Sequence, residues 1–101
     1  MILYNITISI SPEIENEFIN WMKAKYIPKV LDTGCFFEHR FMRLLHQEPG
    51  EGINFSVQFH TTSIKEMRAF EDKFAKGLRG DLERKFGDQF VSFRSLLQSV
   101  E

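Results

Sequence analysis

A four-stranded antiparallel sheet with two helices on one of its faces, in the order β-α-β-β-α-β, is the α+β fold that this sequence predicts. Three observations carry it. Ile2 to Ile10 alternates without a break: Ile2, Tyr4, Ile6, Ile8 and Ile10 fall on one side, Leu3, Asn5, Thr7 and Ser9 on the other. Period two in β-branched residues is the signature of a half-buried strand. Ile53, Phe55, Val57 and Phe59 alternate in the same way with Asn54, Ser56, Gln58 and His60. Each of these strands is followed by a stretch with apolar residues every three or four positions, which is one face of a helix.

The first helix opens on Ser11-Pro12-Glu13, which offers an N-cap hydroxyl, a proline at the first helical position and an acid in the first turn. Its stripe is Ile14, Phe18, Trp21, Met22 and Lys25, anchored by Phe18 and Trp21. Pro28 then stands deep inside the pattern. It supplies no N–H and crowds the carbonyl four residues back, near Ala24. The helix is therefore expected either to kink or to end near Lys25, with a short turn starting at Pro28. Val30 and Leu31 return to the sheet, and Gly34 releases the chain as a left-handed residue past the helix end. Proline and glycine together read as a structural corner.

Cys35 to His46 is an apolar-rich run and the expected second strand, joined to the third by the polar turn "QEPGEG". Phe37, His39, Phe41, Arg43 and Leu45 are assigned to the core side, with the Arg43 stem reaching past the edge. Glu38, Arg40, Met42 and Leu44 face away, although a bulge midway would swap the two sets. Ser63-Ile64-Lys65-Glu66 is a capping box. It opens a helix with the stripe Met67, Phe70, Phe74, Leu78 and Leu82, weakened at its far end by Gly77 and Gly80. "FGDQF" closes it before a last strand, Gln89 to Gln98, in which Val91, Phe93 and Leu97 oppose Ser92, Arg94 and Leu96. Two right-handed crossovers joined by a hairpin give the ferredoxin-like layout, with strands one and three central and strands two and four at the edges.

Composition narrows the rest. The 101 residues read as one domain, 1–101, with 43% hydrophobic content and eleven Phe, enough for a globular core. A chain this short buries only about 60–65% of its unfolded surface, so dimerisation is a common supplement. A net charge of -1 leaves no footprint for nucleic acid or an anionic membrane. The single Cys35 excludes an internal disulfide and reads as a small buried hydrophobe. "MILYNITISIS" lacks the basic start and cleavage site of a signal peptide, and no apolar run reaches a membrane span, so a reducing, cytoplasmic home is expected. His39, His46 and His60 lack close acidic or cysteine companions, and no metal or cofactor is expected. The first loop, "SISPEI", has neither the Cys-x-x-Cys of a metal chaperone nor the glycines and arginine of an anion cradle.

The face that the helices leave uncovered is expected to carry Leu3, Asn5, Thr7, Ser9, Asn54, Ser56, Gln58, His60, Arg94 and Leu96. RNA-binding sheets place stacking aromatics at the central positions. Here those are Asn5, Thr7, Ser56 and Gln58. Two such faces meeting in a homodimer would use Leu3, Met42, Leu44 and Leu96 as apolar contacts. The polar groups would then line a shared pocket or pair with one another. The candidate ligand residues are Asn5, Thr7, Arg40, Gln58, His60 and Arg94.

With "WMKAKYIPKVLDTGCF", "RFMRLL" and "ERKFGDQFVSFRSLL" in view, nearly the whole chain resembles a small bacterial family of uncharacterised proteins in the dimeric α/β-barrel group. That is the fold of antibiotic-biosynthesis monooxygenases and their relatives, and the resemblance implies a homodimer whose sheets face each other. Many of those relatives carry His-x-Pro in the first helix, where this chain has Tyr26. Heme-degrading relatives pair an asparagine on the first strand with a histidine on the second helix. Asn5 matches the former, and Ser63 to Arg79 contains no histidine. The expected function is a homodimeric small-ligand-binding or accessory protein. The alternative is a cofactor-independent monooxygenase or isomerase on a small aromatic or polyketide-like substrate between the sheets. Arg94 or Arg40 would then stabilise an anion and His60 act as base.

Overall fold

The computed structural model describes residues 1–45 and 52–101. Its strands are β1 (Ile2–Ile10), β2 (Glu38–Arg43), β3 (Ile53–Thr61) and β4 (Phe90–Gln98), in the antiparallel order β2-β3-β1-β4. Helix α1 (12–31) joins β1 to β2, and α2 (64–86) joins β3 to β4. The expected ferredoxin-like topology is what forms, with β1 and β3 central. Most of the expected turn over 47–52, together with His46 and Glu48, lies outside the described residues.

Ile2, Tyr4, Ile6, Ile8 and Ile10 are all buried beneath the helices, opposite Phe55, Val57, Phe59 and Thr61 of β3. Phe18 lies at the centre, its ring 5.1 Å from Phe55 and 5.6 Å from Phe86. Phe36 holds the other end, 4.9 Å from Phe70 and 5.5 Å from Phe59. Cys35 and Phe36 are both buried. Consecutive burial is not strand alternation, and β2 starts only at Glu38 rather than at Cys35. His39, Phe41 and Arg43 do face the helices, as expected, with Arg43 ion-paired to Glu15 at 2.7 Å. Phe37 and Leu45 do not join the core, because they lie outside the strand whose phase assigned them.

Pro28 neither ends α1 nor forces it into two pieces. The helix widens to a π-turn at Met22–Tyr26, where the N–H of Ile27 donates to the carbonyl of Met22 five residues back. Pro28 follows at the start of the segment Ile27–Leu31. The steric demand of its ring falls on a turn that is already widened. The π-turn also explains the buried stripe. Ile14, Phe18, Met22, Tyr26 and Val30 recur at spacings of four, which in an unbroken α-helix would drift by about 40° per step. One extra residue in the middle turn brings the second half back over the sheet. Gly34, with φ of 76°, releases the chain as expected. Ser11 makes no side-chain cap; the helix begins instead with a 3₁₀ turn at Pro12–Ile14.

Helix α2 repeats the device. Ser63 Oγ accepts from the Glu66 N–H at 3.1 Å, which is the serine half of the expected capping box. A second π-turn occupies Glu71–Ala75. The core stripe therefore runs Met67, Phe70, Ala75, Leu78, Leu82 and Phe86, stepping five residues at the bulge. Phe74, expected in the core, is displaced to the surface edge, and Ala75 takes the inward position. Among the described residues no helix is long and apolar enough to cross a membrane.

Two glycines separate local strain from packing. Gly87 ends α2 with φ of 59° and ψ of -125°, a conformation open essentially to glycine alone. Gly87→Ala is expected to cost about 1–3 kcal/mol in urea unfolding. Gly77 lies inside α2 with free space around its missing Cβ, so Gly77→Ala is expected to stabilise by about 0.5–1 kcal/mol.

Candidate ligand cavity

Pairing β1 with β4 decides which side chains meet above the sheet. Ile6 lies opposite Arg94 and Ile8 opposite Ser92, so Arg94, Ser92 and Leu96 stand on the helix side with the isoleucines. Val91, Phe93 and Leu97 share the uncovered face with Ser9, Thr7 and Leu3. This reverses the expected phase of β4. The helices do not roof this edge strand, so its more apolar side had no reason to turn toward them.

Where the roof ends, a cavity of about 170 Å³ opens between β1, β4 and both helices. Tyr4 and Ile6 form its floor, and Ser92, Phe93 and Arg94 its β4 wall; α1 contributes Tyr26, and α2 contributes Phe70, Ala75, Arg79 and Leu82. Both π-turns border it. Tyr26 is the last residue of the first and Ala75 the last of the second. Without the inserted residues, neither would hold its present inward place. Ala75 gave no sequence signal as a site residue. The position becomes legible only once the five-residue step from Phe70 is known.

The polar side chains of the cavity are the phenols of Tyr4 and Tyr26, the guanidiniums of Arg79 and Arg94, and the hydroxyl of Ser92. Arg94 is ion-paired with Glu71 at the start of the second π-turn. Arg79 makes no ion pair among the described residues. Burial raises the Tyr4 pKa and Glu71 adds to the shift, while nearby Arg94 and Arg79 oppose it. Burial, then the neighbouring Tyr4, raises Tyr26 further. Both phenols therefore stay protonated as hydrogen-bond donors across the physiological range.

The other candidate residues lie on the opposite face. Asn5 Nδ2 donates to Thr7 Oγ1 at 3.1 Å, Ser56 Oγ donates to Asn5 Oδ1 at 2.6 Å, and Gln58 Nε2 donates to Ser56 Oγ at 3.3 Å. This ladder satisfies the central polar groups within the protomer. Arg40 pairs with Glu38 at 2.9 Å beside Gln58. His60, at the far end, has Nδ1 3.0 Å from Met1 Sδ, and its shielded Nε2 has no partner among the described residues. So Asn5, Thr7, Arg40, Gln58 and His60 share one surface. Arg94 is separated from them by the thickness of the sheet.

A family model spans residues 1–100 of the chain. The chain belongs to the DUF4286 family. The family is described as a domain of unknown function, and no curated protein matches the chain. This DUF4286 chain is similar in fold to an EthD-family protein from Bacillus halodurans, at 13% identity and a TM-score of 0.71, over 99% of this chain and 100% of that one. It is also similar to a dimeric ferredoxin-like protein from an uncultured marine organism, at 15% identity and a TM-score of 0.69, over 100% and 96%. A proposed antibiotic-biosynthesis monooxygenase from Deinococcus radiodurans matches at 12% identity and a TM-score of 0.60, over 100% and 94%. At these identities the likenesses establish the fold.

The raised phenol pKa values give a spectroscopic test, since Tyr4 and Tyr26 are the only tyrosines. The folded state holds their protons more tightly than the unfolded chain, so this stability is complete below about pH 10 and is lost as pH rises past it. Absorbance at 295 nm should stay flat through the ordinary tyrosine range and rise only with unfolding. Tyr26→Phe should lessen the alkaline loss of stability.

Proposed function

We propose that the protein is a homodimer that binds a small molecule in each protomer, in the cavity between its sheet and its helices. The observation that carries the binding reading is the cavity's composition: apolar walls from Ile6, Phe70, Ala75 and Leu82, with phenol and guanidinium donors converging on them. An apolar cavity of about 150 Å³ accommodates benzene, so the ligand portion that enters is about one ring in size.

Homodimerisation rests on β4. Val91, Phe93 and Leu97 are 70%, 65% and 53% exposed on the uncovered face, and Leu96 is 53% exposed on the other. A nine-residue edge strand with four large apolar side chains left in water would invite uncontrolled pairing. Phe37, Met42 and Leu44 are also exposed toward the opposite edge. A second copy would bring the same apolar margins and central polar ladder against these in an isologous contact. The similarity to a dimeric ferredoxin-like protein supports this reading.

A second reading, a cofactor-independent monooxygenase or isomerase, draws support from the same donors. Two phenols and a guanidinium aimed into one apolar space are suited to a developing enolate. The site favours binding over catalysis because Tyr4 and Tyr26 hold their protons too tightly to serve as bases near neutral pH.

Light scattering after gel filtration should report a dimer at micromolar concentration, and Leu97→Lys should yield a folded monomer. A monomeric wild type would overturn the assembly. Single-ring aromatic fragments should shift NMR signals of residues around the cavity. Ala75→Leu, which fills the space, should abolish those shifts and leave the dimer intact.

A further inference from the structure

The charge distribution around the cavity points to its ligand class: we infer that it takes a small, flat monoanion, a carboxylate or enolate on an apolar body. This rests on the cavity being the ligand site. Arg79 and Arg94 both line the cavity, whereas none of its lining side chains is acidic. The nearest carboxylates are already engaged. Glu71 is paired with Arg94. Asp81 is held by Lys29 at 2.6 Å and by Arg84, on the outer side of the helices.

Of the two cavity guanidiniums, that leaves Arg79 as the one without an ion pair among the described residues. A guanidinium so placed presents a planar fork that matches a carboxylate in two hydrogen bonds. It stands at the solvent-facing mouth, while Ile6, Phe70 and Leu82 line the interior. The arrangement orients a ligand with its charge outward and its ring inward. Tyr26 adds directionality, since its hydroxyl has no hydrogen-bond partner among the described residues and stays protonated. A phenol that stays protonated near neutral pH donates to an anion without repelling it. A cationic ligand would meet two guanidiniums instead. A neutral ligand of the same shape would use the walls but leave Arg79 unsatisfied.

Titration calorimetry with benzoate, benzamide and benzylammonium as probes tests this on the intact protein. Benzoate is expected to bind at least about tenfold more tightly than benzamide, and benzylammonium more weakly than either. Arg79→Gln, at an exposed position, should erase the preference for benzoate over benzamide. Ala75→Leu should remove both. Equal affinity for benzoate and benzamide, with both lost in Ala75→Leu, overturns the anion assignment and leaves the cavity standing. Failure of all three probes to bind overturns the cavity and the anion assignment together. A benzoate preference that survives Arg79→Gln overturns the role given to that residue.

Discussion

Two inserted residues, one in each helix, are what the cavity depends on. An α-helix turns about 100° per residue, so a buried stripe over twenty residues must either drift around the helix or be corrected. Here both helices are corrected by a π-turn, at Met22–Tyr26 and at Glu71–Ala75. A π-turn gives up favourable backbone geometry and is kept where something else benefits. In α1 the widened turn accommodates Pro28 and directs Tyr26 inward; in α2 it exchanges Phe74 for Ala75. A phenylalanine at the inward position would fill the space that the alanine leaves. The cavity is thus a consequence of helix phase as much as of side-chain choice.

The helices are held in that phase by the core and by ties between their outer faces. Phe18 and Phe36 join the helices to β1 and β3 through ring contacts of about 5–6 Å, the range at which aromatic pairs are attractive. Outside, Lys29 reaches Asp81 and Lys85 reaches Glu17 at 2.9 Å, each linking α1 to α2. Exposed ion pairs of this kind contribute little energy individually, so the aromatic core carries the weight. The helices pack over β1, β2 and β3 and stop short of β4. The same shortfall makes the cavity mouth and leaves most of β4 exposed, apart from Phe90 against the core and Arg94 reaching Glu71.

The two faces of the sheet are therefore different kinds of surface. On one, Asn5, Thr7, Ser56 and Gln58 satisfy each other along the central strands, between apolar margins. Internally satisfied polar groups can be covered without a large desolvation cost, which suits an interface better than a binding pocket. On the other, Arg79 and the Tyr26 hydroxyl are left without hydrogen-bond partners in the described protomer, which suits a ligand. Candidate residues that the alternation pattern placed together are thus divided between an assembly surface and a cavity.

The sequence by itself determined the element order, the central strands, both crossovers and the corner at Gly34. Those features are written in local periodicity, in the capping box and in residues with few backbone options. It also assigned His39, Phe41 and Arg43 correctly to the helix side. It could not decide the phase of β4, since an edge strand with apolar residues on both sides satisfies either alternation equally well. Nor could it place Ala75, Phe74 or Tyr26, because a π-turn changes the period on which helix reading relies. Only tertiary structure settled these, through the pairing of Ile6 with Arg94 and the packing of two widened turns over one end of β1. Periodicity reports which residues share a side; contact with the rest of the chain decides what that side faces.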